Sequence, residues 1–286
     1  MARDTASPEA VEAPAFGERR FGRMNWLGLW TLYKKEVMRY LKVAAQTVLA
    51  PIITTMLYLT VFLVAFGADR DVTMEGQVIP FAAFLPPGLI MMAVLNNAFQ
   101  NASSSLIIGK VQGSVVDILM PPLSAAELTI AFVMGAATRG LMVGFVTAVT
   151  IALFMVATGG PFGIHNAAAV IYFSLTASIM LGAVGAIAGM WAEKFDQLAL
   201  ITNFVITPLT FLSGTFYSVK KEGLPGWVED VSSFNPLFYL IDGFRYGFIG
   251  VSDAPVARGA VISLGLSFLA CAITYILFKR GYKLKA

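Results

Sequence analysis

Amides and hydroxyls crowd one stretch of an otherwise apolar sequence: Asn96, Asn97, Gln100, Asn101, Ser103, Ser104 and Ser105. Asn96 and Gln100 lie one helical turn apart, as do Asn97 and Asn101, so each pair stacks along a helix. Polar side chains in lipid cost free energy and turn toward other protein or water. These could line a substrate path or a dimer seam. They could equally hydrogen-bond neighbouring helices, at about 0.6–2 kcal/mol per contact. Arg139 interrupts another apolar helix, where a charge at mid-bilayer costs about 2.5–3.5 kcal/mol. One span counted from Arg139 to Thr158 puts this residue at the inner interface, its guanidinium snorkelling to the headgroups. Asp242 and Arg245 are three apart and able to pair on one helical face.

Other chemistry is missing from the sequence. It has one His (His165, in a Gly-rich turn over Gly159–Asn166) and one Cys (Cys271), which excludes a disulfide framework and a site built from several His or Cys ligands. Gly109-Lys110 is followed by Val111, so no GxxxxGK[ST] loop cradles ATP. No HExxH and no aspartate-rich cluster is present. A membrane enzyme usually gathers acids or histidines near one interface, and an ion-coupled carrier holds ionisable groups near the midplane. Energy for transport is therefore expected from another chain. The alternative is an ion-coupled secondary transporter.

The elements that must hold these residues are membrane spans. Hydrophobic residues make up 57% of the chain and charged residues 13%, against about 25% charged in a soluble domain. A bilayer core about 30 Å thick needs roughly 20 apolar residues per helix. Six stretches meet that length, at about residues 43–67, 81–108, 139–158, 167–192, 198–219 and 259–278. The expectation is an all-α polytopic membrane protein with six transmembrane helices. Lys34, Lys35, Arg39 and Lys42 precede the first, Lys110 follows the second, Lys194 the fourth, and Lys279, Arg280, Lys283 and Lys285 the sixth. Cationic flanks face the cytoplasm, so both termini are expected inside. A net charge of +3 is too small to suggest nucleic acid and suits anionic membrane lipids or an acidic protein face. Residues 1–20 carry acids and prolines without an apolar core, which reads as a disordered cytoplasmic tail and not a signal peptide.

Residues 22–41 place Trp26, Leu29, Trp30, Tyr33, Val37 and Tyr40 on one side and Lys35, Arg39 and Lys42 on another, as an amphipathic interfacial helix would. Residues 68–79 read as a short acidic loop. Between the second and third spans, Val115–Met120 forms a short apolar helix stopped by Pro121-Pro122. Ser124 and Glu127 then make a capping box for the next helix. That short helix needs somewhere to bury its face, on the membrane surface or in a partner's groove. Gly185 and Gly189 form a GxxxG pair that lets helices approach closely. After Thr207-Pro208, residues 217–255 are too polar to span and too apolar to be a free loop. Two short helices, broken at Asn235-Pro236 and dipping into the outer leaflet, would explain them.

The segment TPLTFLSGTFYSVKKEGLPGWVEDVSSFNPLFYLIDGFRYGFIG (207–250) strongly resembles the signature of ABC-2-type permeases, membrane subunits of one class of ABC exporter, within which the chain is most similar to inner-membrane permeases of Gram-negative bacteria. The resemblance extends through APIITTMLYLTVF (50–62), LPPGLIMMAVLNNAFQNASSS (85–105) and Arg139 with Gly144 in a matching RGLxVG context. It implies a permease homodimer in the cell inner membrane and two copies of a separate cytoplasmic ATPase subunit. That subunit would carry the ATP and Mg, with no cofactor and no catalytic residue in this chain. It implies a coupling helix at about residues 113–120, with Gly113, Asp117, Ile118 and Leu119 as coupling residues. Lys35, Glu36 and Arg39 match the family's connecting-helix pattern, as ATPase contacts or inter-element salt bridges. The expected substrate path or dimer interface holds Asn96, Asn97, Gln100, Asn101, Thr207 and Phe211. A re-entrant outer hairpin is implied over about residues 223–250, with Asn235, Tyr239, Asp242 and Arg245 as its gate. The implied cargo is an amphipathic, drug-like, lipid or lipid-linked glycan substrate.

Overall fold

The computed structural model describes residues 24–67, 70–74, 76–219 and 226–283. The tail expected over residues 1–20, and residues 223–225 of the expected hairpin, lie outside them. Among the described residues five helices are long and apolar enough to cross a membrane. These are α2 (Ala44–Phe66), α3 (Phe81–Val111), α5 (Ala125–Thr158), α6 (Ala167–Trp191) and α11 (Val256–Arg280). Shorter helices are α1 (Trp26–Leu41), α4 (Val115–Leu119), α9 (Gly226–Phe234) and α10 (Pro236–Ile249).

The stretch expected to span over 198–219 is shorter and interrupted. Helix α7 (Phe195–Ile201) passes through a π-helical segment, Thr202–Ile206, into α8 (Thr207–Phe211). Pro208 cannot donate to the Phe204 carbonyl one turn back. One turn wound with the wider i→i+5 pattern, in which the Thr207 amide reaches the Thr202 carbonyl, absorbs the mismatch. The chain then turns through Gly214 at φ 74° instead of continuing to residue 219. The loop expected over 68–79 also departs from its reading. Antiparallel strands β1 (Asp71–Met74) and β2 (Gln77–Pro80) pair Val72 with Ile79, burying Val72, Met74 and Ile79.

Helix α3 is the centre of the fold. It packs mainly on α6 and α5, and 83% of its most apolar stretch is buried. Small residues make that packing possible. A Cβ at Gly185 would lie 2.3 Å from the Phe99 carbonyl oxygen, and one at Gly189 would lie 2.8 Å from that of Ser103. Helix α2 is the opposite case: 11% of its apolar stretch is buried, and it leans mainly on α3 and α5. Pro51 within it frees the carbonyl of Thr47.

The two ends of the bundle differ. At the basic end, Glu127 completes the expected capping box with Ser124 and also accepts from the Asn25 amide. The Asn25 side chain in turn caps α1. One buried carboxylate thus fixes the starts of two helices. There too, Lys110 donates to the carbonyls of Met190 and Ala192 at the end of α6. Lys283 bonds Glu193 at 2.7 Å, which holds the Glu193 carboxyl below its ordinary range and pushes the Lys283 ammonium up. At the far end, α10 is sunk among α3, α6 and α11, and the amides of His165 and Asn166 bond the Gly247 carbonyl.

Candidate functional site

Loose packing of α2 opens a cleft of about 740 Å3, walled by α1, α2, α3, α5 and the α7–α8 run. That volume lies within the roughly 300–1,000 Å3 of small-molecule sites. Asn96, Asn97 and Gln100 line it from α3, and Thr207 and Phe211 from α8. The side-chain amides of Asn96 and Asn97 each donate once to their own helix, at 3.0 Å to Met92 and Ala93 carbonyls. Each keeps a carbonyl oxygen and a second N–H for other partners. Asn101 is different: it is fully buried behind the wall. Thr47, Thr54 and Tyr58 of α2, Thr202 and Asn203 of the π-helical segment, and Tyr40 of α1 add further polar groups. Tyr40 is buried, and burial, helped by nearby Tyr33, raises its phenol above the ordinary value. It therefore stays a hydrogen-bond donor at neutral pH.

Arg39 and Glu36 knit α1 to this wall. Glu36 is 1% exposed. It accepts from the Ser105 hydroxyl at 2.6 Å and pairs with Arg39 at 3.3 Å. Arg39 donates to the Asn101 carbonyl at 2.7 Å, the Asn101 side-chain oxygen at 2.9 Å and the Ser104 hydroxyl at 3.2 Å, while also lining the cleft. The buried stripe of α1 is accordingly Leu32, Glu36 and Tyr40. Trp26 and Trp30 face outward, not on one side with Tyr40 as the periodicity suggested. Lys35 sits elsewhere, with Asp117 and Ile118, along a groove of about 280 Å3 between α1 and α4. Leu119 is exposed beside it, and Gly113, at φ 70°, makes the turn into α4.

The four expected gate residues at the far end hold the chain together rather than one another. Asn235 caps α10 and donates to the Leu209 carbonyl at 2.6 Å. The Tyr239 hydroxyl donates to the Ser233 carbonyl at 3.0 Å. Asp242 and Arg245 do not form the ion pair their spacing allows. Asp242 accepts from the amides of Asp253 and Ala254 at 2.8 and 2.9 Å. Arg245, fully buried, donates to the Gly214 carbonyl at 2.7 Å and stacks 3.9 Å above the Phe84 ring. Backbone groups that would otherwise be orphaned outcompete the neighbour on the same helix. Asp253, unnoticed in the sequence, accepts from Ser218 and the Val219 amide at 2.7 and 3.0 Å. Its turn-forming context, Ser252-Asp253-Ala254-Pro255, was the available signal.

Arg139, expected at the inner interface, lines the wall of the cleft from α5.

The profile of ABC-2 type transporters matches residues 28–249. This chain belongs to the ABC-2 type transporter family. The Inner membrane transport permease YadH of Escherichia coli (strain K12) is 34% identical over 265 residues, covering 92% of this chain and 99% of that protein. Nodulation protein J of Rhizobium leguminosarum bv. viciae is 25% identical over 240 residues, covering 82% and 86% of the two chains. The homologous protein of Rhizobium meliloti (strain 1021) is 23% identical over 225 residues, covering 77% and 80%. As an ABC-2 permease of the inner-membrane type, the chain brings together Asn96, Asn97, Gln100, Thr207 and Phe211 in one cleft. Lys35, Asp117 and Ile118 share a separate groove, and the four far-end residues fix loops around α10.

Proposed function

We propose that this chain is the membrane-spanning permease subunit of an ATP-driven exporter, moving an amphipathic substrate by alternating access. The observation that carries the reading is a polar cleft of about 740 Å3 inside an ABC-2 family member whose sequence has no phosphate loop of its own. Two copies of a cytoplasmic ATPase subunit would supply the energy, and a second copy of this chain would complete the path. In this reading α1 lies at the cytoplasmic interface, the Phe195–Phe211 run acts as the sixth span, and α9–α10 form the re-entrant outer hairpin. Both termini are cytoplasmic. The exposed Trp26, Leu27, Val116 and Met120 around the α1–α4 groove support that face as the place where the ATPase docks. Among the described residues, the charged groups lining the cleft are Arg39 and Arg139. Arginine does not titrate in proteins, which argues against proton-coupled transport through this cleft.

Reconstitution tests the reading. The purified chain alone should hydrolyse no ATP, and transport should require a partner ATPase. A chain that hydrolyses ATP by itself, or transports without such a partner, would refute it. In the assembled complex, Asp117→Lys or Leu119→Asp should lower substrate-stimulated ATP hydrolysis or ATPase co-purification by about tenfold, the loss expected for a central interface residue. The permease itself should elute unchanged from size exclusion. Unaltered co-purification together with unaltered stimulation would exclude α4 as the contact.

A further inference from the structure

A second cavity, of about 520 Å3, opens between α3, α5, α6 and α10. It is separate from the cleft. Ile90 and Val94 meet it from α3, whereas Met92 and Asn96, about 200° round that helix, face the cleft. Its lining side chains are apolar except Ser174, whose hydroxyl is spent on the Val170 carbonyl at 2.7 Å. A trapped water needs two to four polar partners, so water does not fill this space. No charged side chain lines it either, so nothing in it selects a head group. Phe244 and Phe248 of α10 close it from within, both buried, while Phe145, Ile164 and Ile171 are exposed along its rim.

Length and width narrow the occupant. Along α5 the groove runs from Leu141 to Ala152, about 16 Å at the rise of an α-helix. That is the depth of one leaflet, half of a hydrocarbon core about 30 Å thick. Spread over that length, the volume amounts to a channel about 6 Å across, too narrow for a helix about 10–12 Å wide with its side chains. An unbranched hydrocarbon chain fits, because its carbons meet their neighbours at about 3.5–4 Å. Both α5 and α6 are long and apolar enough to cross a membrane, which brings lipid tails to the exposed rim.

We propose that this groove is a binding site for one acyl chain of a membrane phospholipid, taken from the leaflet on the α10 side. The site goes beyond the exporter reading and requires only that α5 and α6 span the bilayer. A bound tail rests against Phe244 and Phe248, and so bears directly on α10.

Photolabelling of the full-length permease in dioleoylphosphatidylcholine vesicles tests this, with a trace of phosphatidylcholine carrying a diazirine midway along one acyl chain. Label on α5 between Leu141 and Ala152, and on α6 between Val170 and Leu175, should exceed that on Leu264 and Phe268 of α11 at least about threefold, the bias that a few extra dispersion contacts supply. Those two α11 residues are exposed and lie outside the groove, so they report ordinary lipid contact. Ala148→Phe puts a ring into the groove and should remove the excess. Leu153→Phe, on the exposed face of α5 outside it, should keep it. Diacylglycerol bearing the same labelled chain should mark the groove equally well. Equal labelling of the groove and of α11 in the native chain overturns the proposal without any variant having to fold. So does an Ala148→Phe protein of native thermal stability that keeps the excess. Loss of the excess with diacylglycerol overturns it too, since a head group and not the tail would then be recognised. None of these measurements needs an ATPase, so their failure leaves the exporter reading to its own test.

Discussion

Replacing Gly185 by leucine will abolish folding of this permease. A Cβ there would sit 2.3 Å from the Phe99 carbonyl oxygen and 3.1 Å from its Cα, both main-chain atoms of the central helix α3. Backbone cannot rotate away as a side chain can, so α3 and α6 must separate along their shared face. Even Gly185→Ala should destabilise by about 1–3 kcal/mol, the usual cost of overpacking a close-packed contact. The larger residue should leave no monodisperse protein after extraction. Gly265, on α11, is the control, because a Cβ there meets nothing within 4 Å. Gly265→Ala should be neutral or stabilising by up to about 1 kcal/mol, since it removes backbone freedom from the unfolded chain. Thermal unfolding of the two alanine variants in one detergent reads the contrast. Equal midpoints for Gly185→Ala and Gly265→Ala would show that the α3–α6 contact is not close-packed.

Arg245→Met should be comparably damaging for a different reason. The change keeps an apolar stem of similar reach but deletes a fully buried charge. It removes the bond to the Gly214 carbonyl, worth about 1.5–3 kcal/mol because the donor is ionised. It also removes the stacking on Phe84, worth about 2 kcal/mol when desolvated. A loss on the order of 3–5 kcal/mol follows from those contributions together. Arg245→Lys should recover only part, since an ammonium lacks the planar fork that stacks and donates at once. The first sign should be faster proteolysis between residues 212 and 219, ahead of global unfolding. A native cleavage pattern and an unshifted midpoint in Arg245→Met would mean that the arginine does not hold this segment.

What the sequence displayed and what it concealed follow one physical division. Features set by neighbours along the chain were readable. The Ser124–Glu127 capping box, the break at Asn235-Pro236 and the long apolar helices all depend on residues within a turn or two of each other. Features set by partners far along the chain were not. Asp242 and Arg245 are adjacent on one helix, yet each is claimed by backbone groups some 11 to 31 residues away in sequence. That Arg139 lines a cleft shows only once α1, α2 and α3 stand beside its helix. The polar run from Asn96 to Ser105 divides likewise: part of it meets the cleft, while Asn101 and Ser105 turn back to hold Arg39 and Glu36. The hairpin over 71–80 escaped because its strands are four residues each, too short for an alternating pattern to stand out. Hydropathy alone set the bounds of the fifth apolar stretch at 198–219 and could not show that the helical run would cover Phe195–Phe211 instead.

The wide turn at Thr202–Ile206 has a mechanical corollary. It stores one residue more than a regular helix of that length would hold. Every side chain beyond it is swivelled by about 100°, the angular step of an α-helix, from where an unbroken helix would aim it. Thr207 and Phe211 lie just beyond it and line the cleft, so the aim of this wall is set by one surplus residue that Pro208 holds in place.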